Sequence, residues 1–144
     1  MSTDIASMSL AQVAKAIARG RISSAEATAV CIKGLDTLGR TLNAVAAMDP
    51  DQAMKAARKA DRERAQGRKR GPLHGVPLAH KDMYYRRGRL SECGAIIRRG
   101  FVPSVTATAL ERLDAAGALD IARLNMVEFA MGATFSKGVV IPEL

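Results

Sequence analysis

Lys81 stands near the end of the run Gly71-Pro72-Leu73-His74-Gly75-Val76-Pro77-Leu78-Ala79-His80-Lys81-Asp82, in which Gly/Pro turns bracket a short apolar stretch. The pattern predicts a turn, a brief buried strand from Val76 to Ala79, and a polar pair at the strand's end. Strand ends are where α/β proteins hold their working groups. A lysine there is a candidate base, but a free ammonium titrates at about 10.4, so it must be desolvated or set beside other cationic or dipolar groups to lose its proton. Spacing alone favours a plainer role, a snorkelling lysine paired with Asp82 or a neighbour.

The other reactive side chains have weaker settings. His74 and His80 read as loop and strand-end histidines, because no serine or cysteine with an activating context accompanies them. Ser91 and Cys93 follow Lys81 without such a context, and helix capping accounts for Ser23-Ser24, the only serine pair. Cys31 and Cys93 lie too far apart to suggest a ligand pair, and no second Cys/His cluster joins them. Neither a metal nor a cofactor is expected.

The elements around Lys81 can be read from period and punctuation. Two helices joined by Gly20-Arg21-Ile22 open the chain, each with capping-box spacing, Ser9 with Gln12 and Ser23 with Glu26. Leu10, Val13, Ala14 and Ile17 share one face of the first helix. Ala27, Val30, Cys31, Gly34, Leu35 and Leu38 share one face of the second. A short strand is expected over Leu42 to Ala47, then a helix that starts at Asp49-Pro50, runs to about Gln66 and ends at Gly67. Thr106 to Ala116 predicts another helix, with Thr106 as cap and Leu110 and Leu113 facing in, stopped by Gly117. Ala118 to Ala122 then makes a second buried strand. Alternation of helix and strand argues for an α/β fold with a parallel or mixed sheet.

A chain of 144 residues is long enough to close one core. Its 48% hydrophobic content, however, includes 26 alanines, three Phe, two Tyr and no Trp. Alanine buries little area and aromatics supply much of a core's payload, so the apolar faces are expected to need more protein against them. The net charge of +8 is concentrated: Lys55, Arg58, Lys59, Arg62, Arg64, Arg68, Lys69 and Arg70, against Asp61 and Glu63, contribute +6 within one helix and its exit. A solvated helix face followed by a basic loop explains this. No aromatic lies in that run to stack on bases, which argues against sequence-specific nucleic-acid recognition. No apolar run approaches membrane-spanning length and the first eight residues have no apolar core, so neither a membrane span nor a secretory signal is expected. A reducing, cytoplasmic compartment follows as the default.

The segment from Gly71 to Asp82 resembles the lysine-bearing motif of the amidase signature enzymes, and Lys81 matches their catalytic lysine. Ile22-Ser23-Ser24-Ala25-Glu26 resembles the family's early helix start, Leu42-Asn43-Ala44-Val45 its first strand, and Asn125-Met126-Val127-Glu128-Phe129-Ala130 a later block. The likeness covers residues 8 to 134 and implies the N-terminal part of an α/β/α sandwich with a mixed sheet and a helical N-terminus. It implies an amide C–N hydrolase working through a Ser, cis-Ser, Lys triad on a small amide substrate. Asn125 and Glu128 would then support the site, orienting neighbouring donors through hydrogen bonds. Two departures stand out. Leu90-Ser91-Glu92-Cys93-Gly94-Ala95 differs from the Gly-Leu-Pro-Thr-like loop usual there. From Phe135 to Leu144 the sequence does not continue into the Gly/Ser-rich loop that carries the nucleophile and oxyanion donors.

Residues 1–134 are therefore expected to be the N-terminal portion of an amidase domain and 135–144 a divergent tail, as a frameshift or premature stop would leave. The chain alone is expected to be inactive. A complementary C-terminal fragment or an oligomer partner docking on the apolar helix faces is one alternative role, and a basic RNA-associated module is another.

Overall fold

The computed structural model describes residues 4–131. The 132–134 continuation of the later block and the 135–144 tail lie outside the described residues.

Helix α1 (Leu10–Ala18) and helix α2 (Ser24–Gly34) start where their capping residues direct. The Ser9 amide donates to Gln12 Oε1 at 2.7 Å and Ser9 Oγ accepts from the Gln12 amide, closing the reciprocal box. Ser23 and Glu26 repeat it, and the Ser23 amide and hydroxyl together hold the Glu26 carboxyl below its usual range. The inward face of α2 departs from a regular helical period. A π-turn over Leu35–Gly39 continues the helix, and its wider i→i+5 spacing breaks the helical period within it, leaving Leu38 69% exposed instead of facing in. Leu10 is also half-exposed, whereas Ile17 on the same face is buried.

Strand β1 (Val45–Met48) begins later than expected. Leu42 is 74% exposed and Asn43 turns the chain with a φ of 48°, a conformation asparagine tolerates better than most residues. Asp49 then caps helix α3 (Pro50–Ala65) by accepting from the Gln52 amide, and Gly67, with a φ of 73°, ends it as expected. Ala53, Ala57 and Ala60 recur on one buried face of α3. Their small side chains let α3 pack closely on α2 and on strand β3 (Leu119–Leu124), where Ile121 and Leu119 complete the cluster.

Strand β2 (Pro77–Lys81) is parallel to β3, while β1 is antiparallel to it, giving the order β1-β3-β2. The expected mixed α/β sheet is thus present. Helix α4 (Thr108–Ala115) is shorter than its sequence suggests. Ala107 occupies the cap position without a side-chain bond, and Thr106 Oγ1 accepts from the Arg87 amide instead, tying the helix start to the preceding loop.

Eight of the fifteen buried hydrophobic side chains among the described residues are alanines. Large apolar side chains remain in solvent along the segments that leave the carboxyl ends of β2 and β3, among them Ile97 at 83% and Met131 at 80% exposure. Among the described residues no helix is long and apolar enough to cross a membrane.

Candidate active site

Because β2 and β3 run parallel, their carboxyl ends open on the same edge of the sheet, where open α/β sheets hold their ligands. Lys81 is the last residue of β2 and Asn125 the first after β3. Lys81 Nζ donates to the Asn125 carbonyl oxygen at 2.7 Å. The lysine is otherwise exposed, so burial within the described residues does not supply the desolvation expected of a base at a buried strand's end.

Asn125 is itself held from the other side. Its amide donates to the Ala44 carbonyl at 2.9 Å, and its Nδ2 donates to both Asn43 O, at 2.9 Å, and Asn43 Oδ1, at 3.0 Å. Glu128, three residues further on, is exposed, at the start of a turn where Phe129 and Ala130 adopt positive φ.

Asp82 is buried and organises the loop beneath the lysine. Its carboxylate accepts from the Glu92 amide at 3.1 Å and lies 3.3 Å from Arg123 Nε on β3. Its carbonyl accepts from Ser91 Oγ at 2.5 Å. Ser91 is 1% exposed with its hydroxyl engaged, and Cys93 is buried beside the same carbonyl; both act as packing and anchoring groups. A Cβ added at Gly94 would overlap the Met126 carbonyl oxygen, and the Phe129 amide donates to the Cys93 carbonyl, so the 91–94 loop and the 125–129 segment are seated on each other.

Both histidines serve the scaffold. His74 Nδ1 accepts from the Arg70 amide, which leaves Nε2 to donate to the Ala60 carbonyl at 2.9 Å. His80 Nδ1 lies 3.0 Å from Asp120 Oδ1, and Arg86 and Arg89 also approach that carboxylate, at 2.9 and 3.2 Å. Burial acts strongly on Asp120 and would raise its titration, but the His80 hydrogen bond and the charges of Arg86, His80 and Arg89 outweigh it and hold the carboxyl below the usual range. Among the described residues no group of three or more His, Cys, Asp or Glu converges as metal ligands would.

Of the residues singled out from sequence, the structure brings Lys81 and Asn125 together and leaves Glu128 apart in solvent; Asn43 and Arg123, which contact this pair and Asp82, were not singled out. The signal for Asn43 was its type, an asparagine before a strand where left-handed backbone is tolerated. Arg123 had none, since its partner Asp82 lies in a distant segment, just past the end of β2.

The sequence profile of the family described as Amidase matches residues 26–142. A glutamyl-tRNA(Gln) amidotransferase subunit from Chloroflexus aurantiacus is 39% identical over 132 residues, covering 92% of this chain and 27% of that protein. The protein of the same name from Pseudomonas syringae pv. syringae is 39% identical over 126 residues, covering 88% of this chain and 26% of its own length. Among solved structures, the native peptide amidase from Stenotrophomonas maltophilia superposes with a TM-score of 0.77 at 34% identity, over 88% of this chain and 26% of that one. A second amidase gives 0.77 at 31% identity, over 87% of this chain and 28% of its own. The chain thus spans about a quarter of the length of the curated relatives it matches.

Proposed function

The chain belongs to the Amidase family, and from that premise we propose that it supplies the N-terminal portion of a hydrolase of amide C–N bonds in which Lys81 is the terminal base of a Ser, cis-Ser, Lys relay. The observation that carries this reading is the position of Lys81 at the carboxyl end of β2, with Nζ 2.7 Å from the Asn125 carbonyl.

In the complete enzyme, a serine hydroxyl would attack the amide carbonyl of a small substrate while its proton passes through the bridging serine to the Lys81 amine. The C–N bond then breaks and the departing amine takes the proton back; water releases the acyl group from the serine. Residues 1–144 contribute the base and contain no Gly/Ser-rich loop to contribute the nucleophile or oxyanion donors. The exposure of Lys81 and of the apolar side chains around the sheet's carboxyl edge fits a site completed by further polypeptide, either a complementary C-terminal fragment or an oligomer partner. The basic residues of α3 remain a solvated face in this reading, and two free thiols suit a reducing, cytoplasmic compartment.

The test has two arms. The 144-residue chain should release no amine or ammonia above background from small aliphatic or aryl amides; turnover that Lys81→Ala abolishes would refute its inactivity. Mixed with a polypeptide carrying the remaining three quarters of a related amidase, it should gain turnover, and Lys81→Ala should then cost about a thousandfold or more. An active mixture indifferent to Lys81→Ala would remove the lysine from the mechanism.

A further inference from the structure

Lys81 Nζ meets a backbone carbonyl, and backbone carbonyls are usually oriented by secondary structure. Asn125 lies one residue past the end of β3, its amide still bonded across to the chain before β1. Its side chain adds a second hold. Asn43 presents two oxygens, the backbone carbonyl at 2.9 Å and Oδ1 at 3.0 Å, to one nitrogen of Asn125. Only the amide nitrogen can answer two acceptors, and it has two N–H groups to spend, so both are used and the Asn125 side chain has a single allowed orientation.

At Asn43 the chain turns with a φ of 48°, two residues before β1 pairs with β3 through Val45 and Leu124, and both Asn43 oxygens face the Asn125 side-chain nitrogen. The amide of Asn125 is also bound, to the Ala44 carbonyl. With its amide and its side chain both bound, Asn125 is held at its Cα, and the seating of residues 126–129 on the 91–94 loop limits rotation about its Cα–C bond, so that its carbonyl points at Lys81.

We propose that Asn43 is a positioning residue for the Lys81 amine, acting through Asn125. This rests on the reading of Lys81 as the base and deepens it. A neutral lysine amine carries two N–H groups and one lone pair. Spending one N–H on a fixed carbonyl restricts rotation about the Cε–Nζ bond and leaves the lone pair facing away from Asn125, free to take a proton. A carbonyl free to swing would not confer that direction. The link runs across the sheet, from two residues before β1 to the end of β2, and joins three segments far apart in sequence.

The experiment reads Lys81 directly in the full chain, without turnover. Trace acetylation with acetic anhydride, followed by peptide mass spectrometry, gives the reactivity of Lys81 relative to the exposed Lys33 and Lys55 as internal references. Asn43→Gly keeps the left-handed backbone and its carbonyl but removes Oδ1, and should raise the Lys81 ratio about fivefold, the worth of one hydrogen bond. Asn43→Asp keeps an oxygen acceptor at the same position and should stay within about twofold of the parent. Circular dichroism of each variant shows whether α1 to α4 persist. An unchanged Lys81 ratio in a folded Asn43→Gly chain, or equal ratios in the Gly and Asp variants, would overturn the proposal. If the Gly variant unfolds, Asn125→Ala, which removes the Nδ2 donor and keeps the carbonyl, takes its place: a several-fold rise in the Lys81 ratio upholds the proposal and a parental ratio overturns it. Failure of the Lys81→Ala test in the complemented enzyme would remove the base and leave these ratios as predicted, so the two readings fail separately.

Discussion

Nδ1 of His80 stands 3.0 Å from Oδ1 of Asp120 across the parallel pair β2 and β3, with both side chains nearly withdrawn from solvent. Arg86 bridges the same carboxylate to Asp114 on α4, which makes Asp120 the hub joining the sheet to that helix. Burial opposes ionisation of Asp120, and the histidine and arginine contacts more than reverse it.

Because the carboxyl titrates lower in the folded chain than in the unfolded one, the stabilisation it gives is complete above the ordinary aspartate value of about 4 and fades as pH falls through the lower folded value. Urea midpoints measured from pH 7 downward should therefore decline below about pH 4. Asp120→Asn should cost about 3 kcal/mol at neutral pH, since it leaves His80, Arg86 and Arg89 with a neutral partner, and should flatten the acid decline. Parallel pH profiles for the two chains would show that Asp120 is not the group responsible.

Asp82→Ala removes the buried carboxylate that faces Arg123 and the Glu92 amide. An uncompensated buried guanidinium should cost about 3 kcal/mol. The loss should be local first, with amide exchange rising at Glu92 and at Phe129, whose amide rests on the Cys93 carbonyl. Exchange confined to α1 and α2 would contradict the role assigned to Asp82.

Asp61 on α3 accepts from the Ser24 and Ala25 amides, at 2.8 and 3.0 Å, and so caps α2 from a different helix. Two amides at a helix N-terminus bound to a carboxylate are charge-assisted bonds, and Asp61→Ala should lower stability by about 2 kcal/mol. Asp61→Asn, which retains one oxygen acceptor, should lose about half as much. Equal midpoints for both variants and the parent would show the cap to be inert.

What could be read without coordinates was local. Both capping boxes, the Asp49-Pro50 helix start and the stops at Gly67 and Gly117 are decided within a few residues, by hydrogen bonds and dihedral preferences that neighbouring side chains complete on their own. The turn and strand that bring Lys81 to an edge are of the same kind. Where local signals were misleading, a distant partner had intervened: Thr106 went to Arg87 instead of capping α4, and Asn43 went to Asn125 instead of extending β1.

Amino-acid order by itself settled the element types, the lysine at a strand's end and the family to which that lysine points. Tertiary structure alone decided which strands pair, β2 beside β3, so that residues 81 and 125 meet, and that Asp82 finds Arg123 and Asp61 finds α2. The physical reason is range. Caps and turns are made between residues a few positions apart, whereas these contacts join segments brought together only when the sheet assembles, and nothing in either segment alone names its partner.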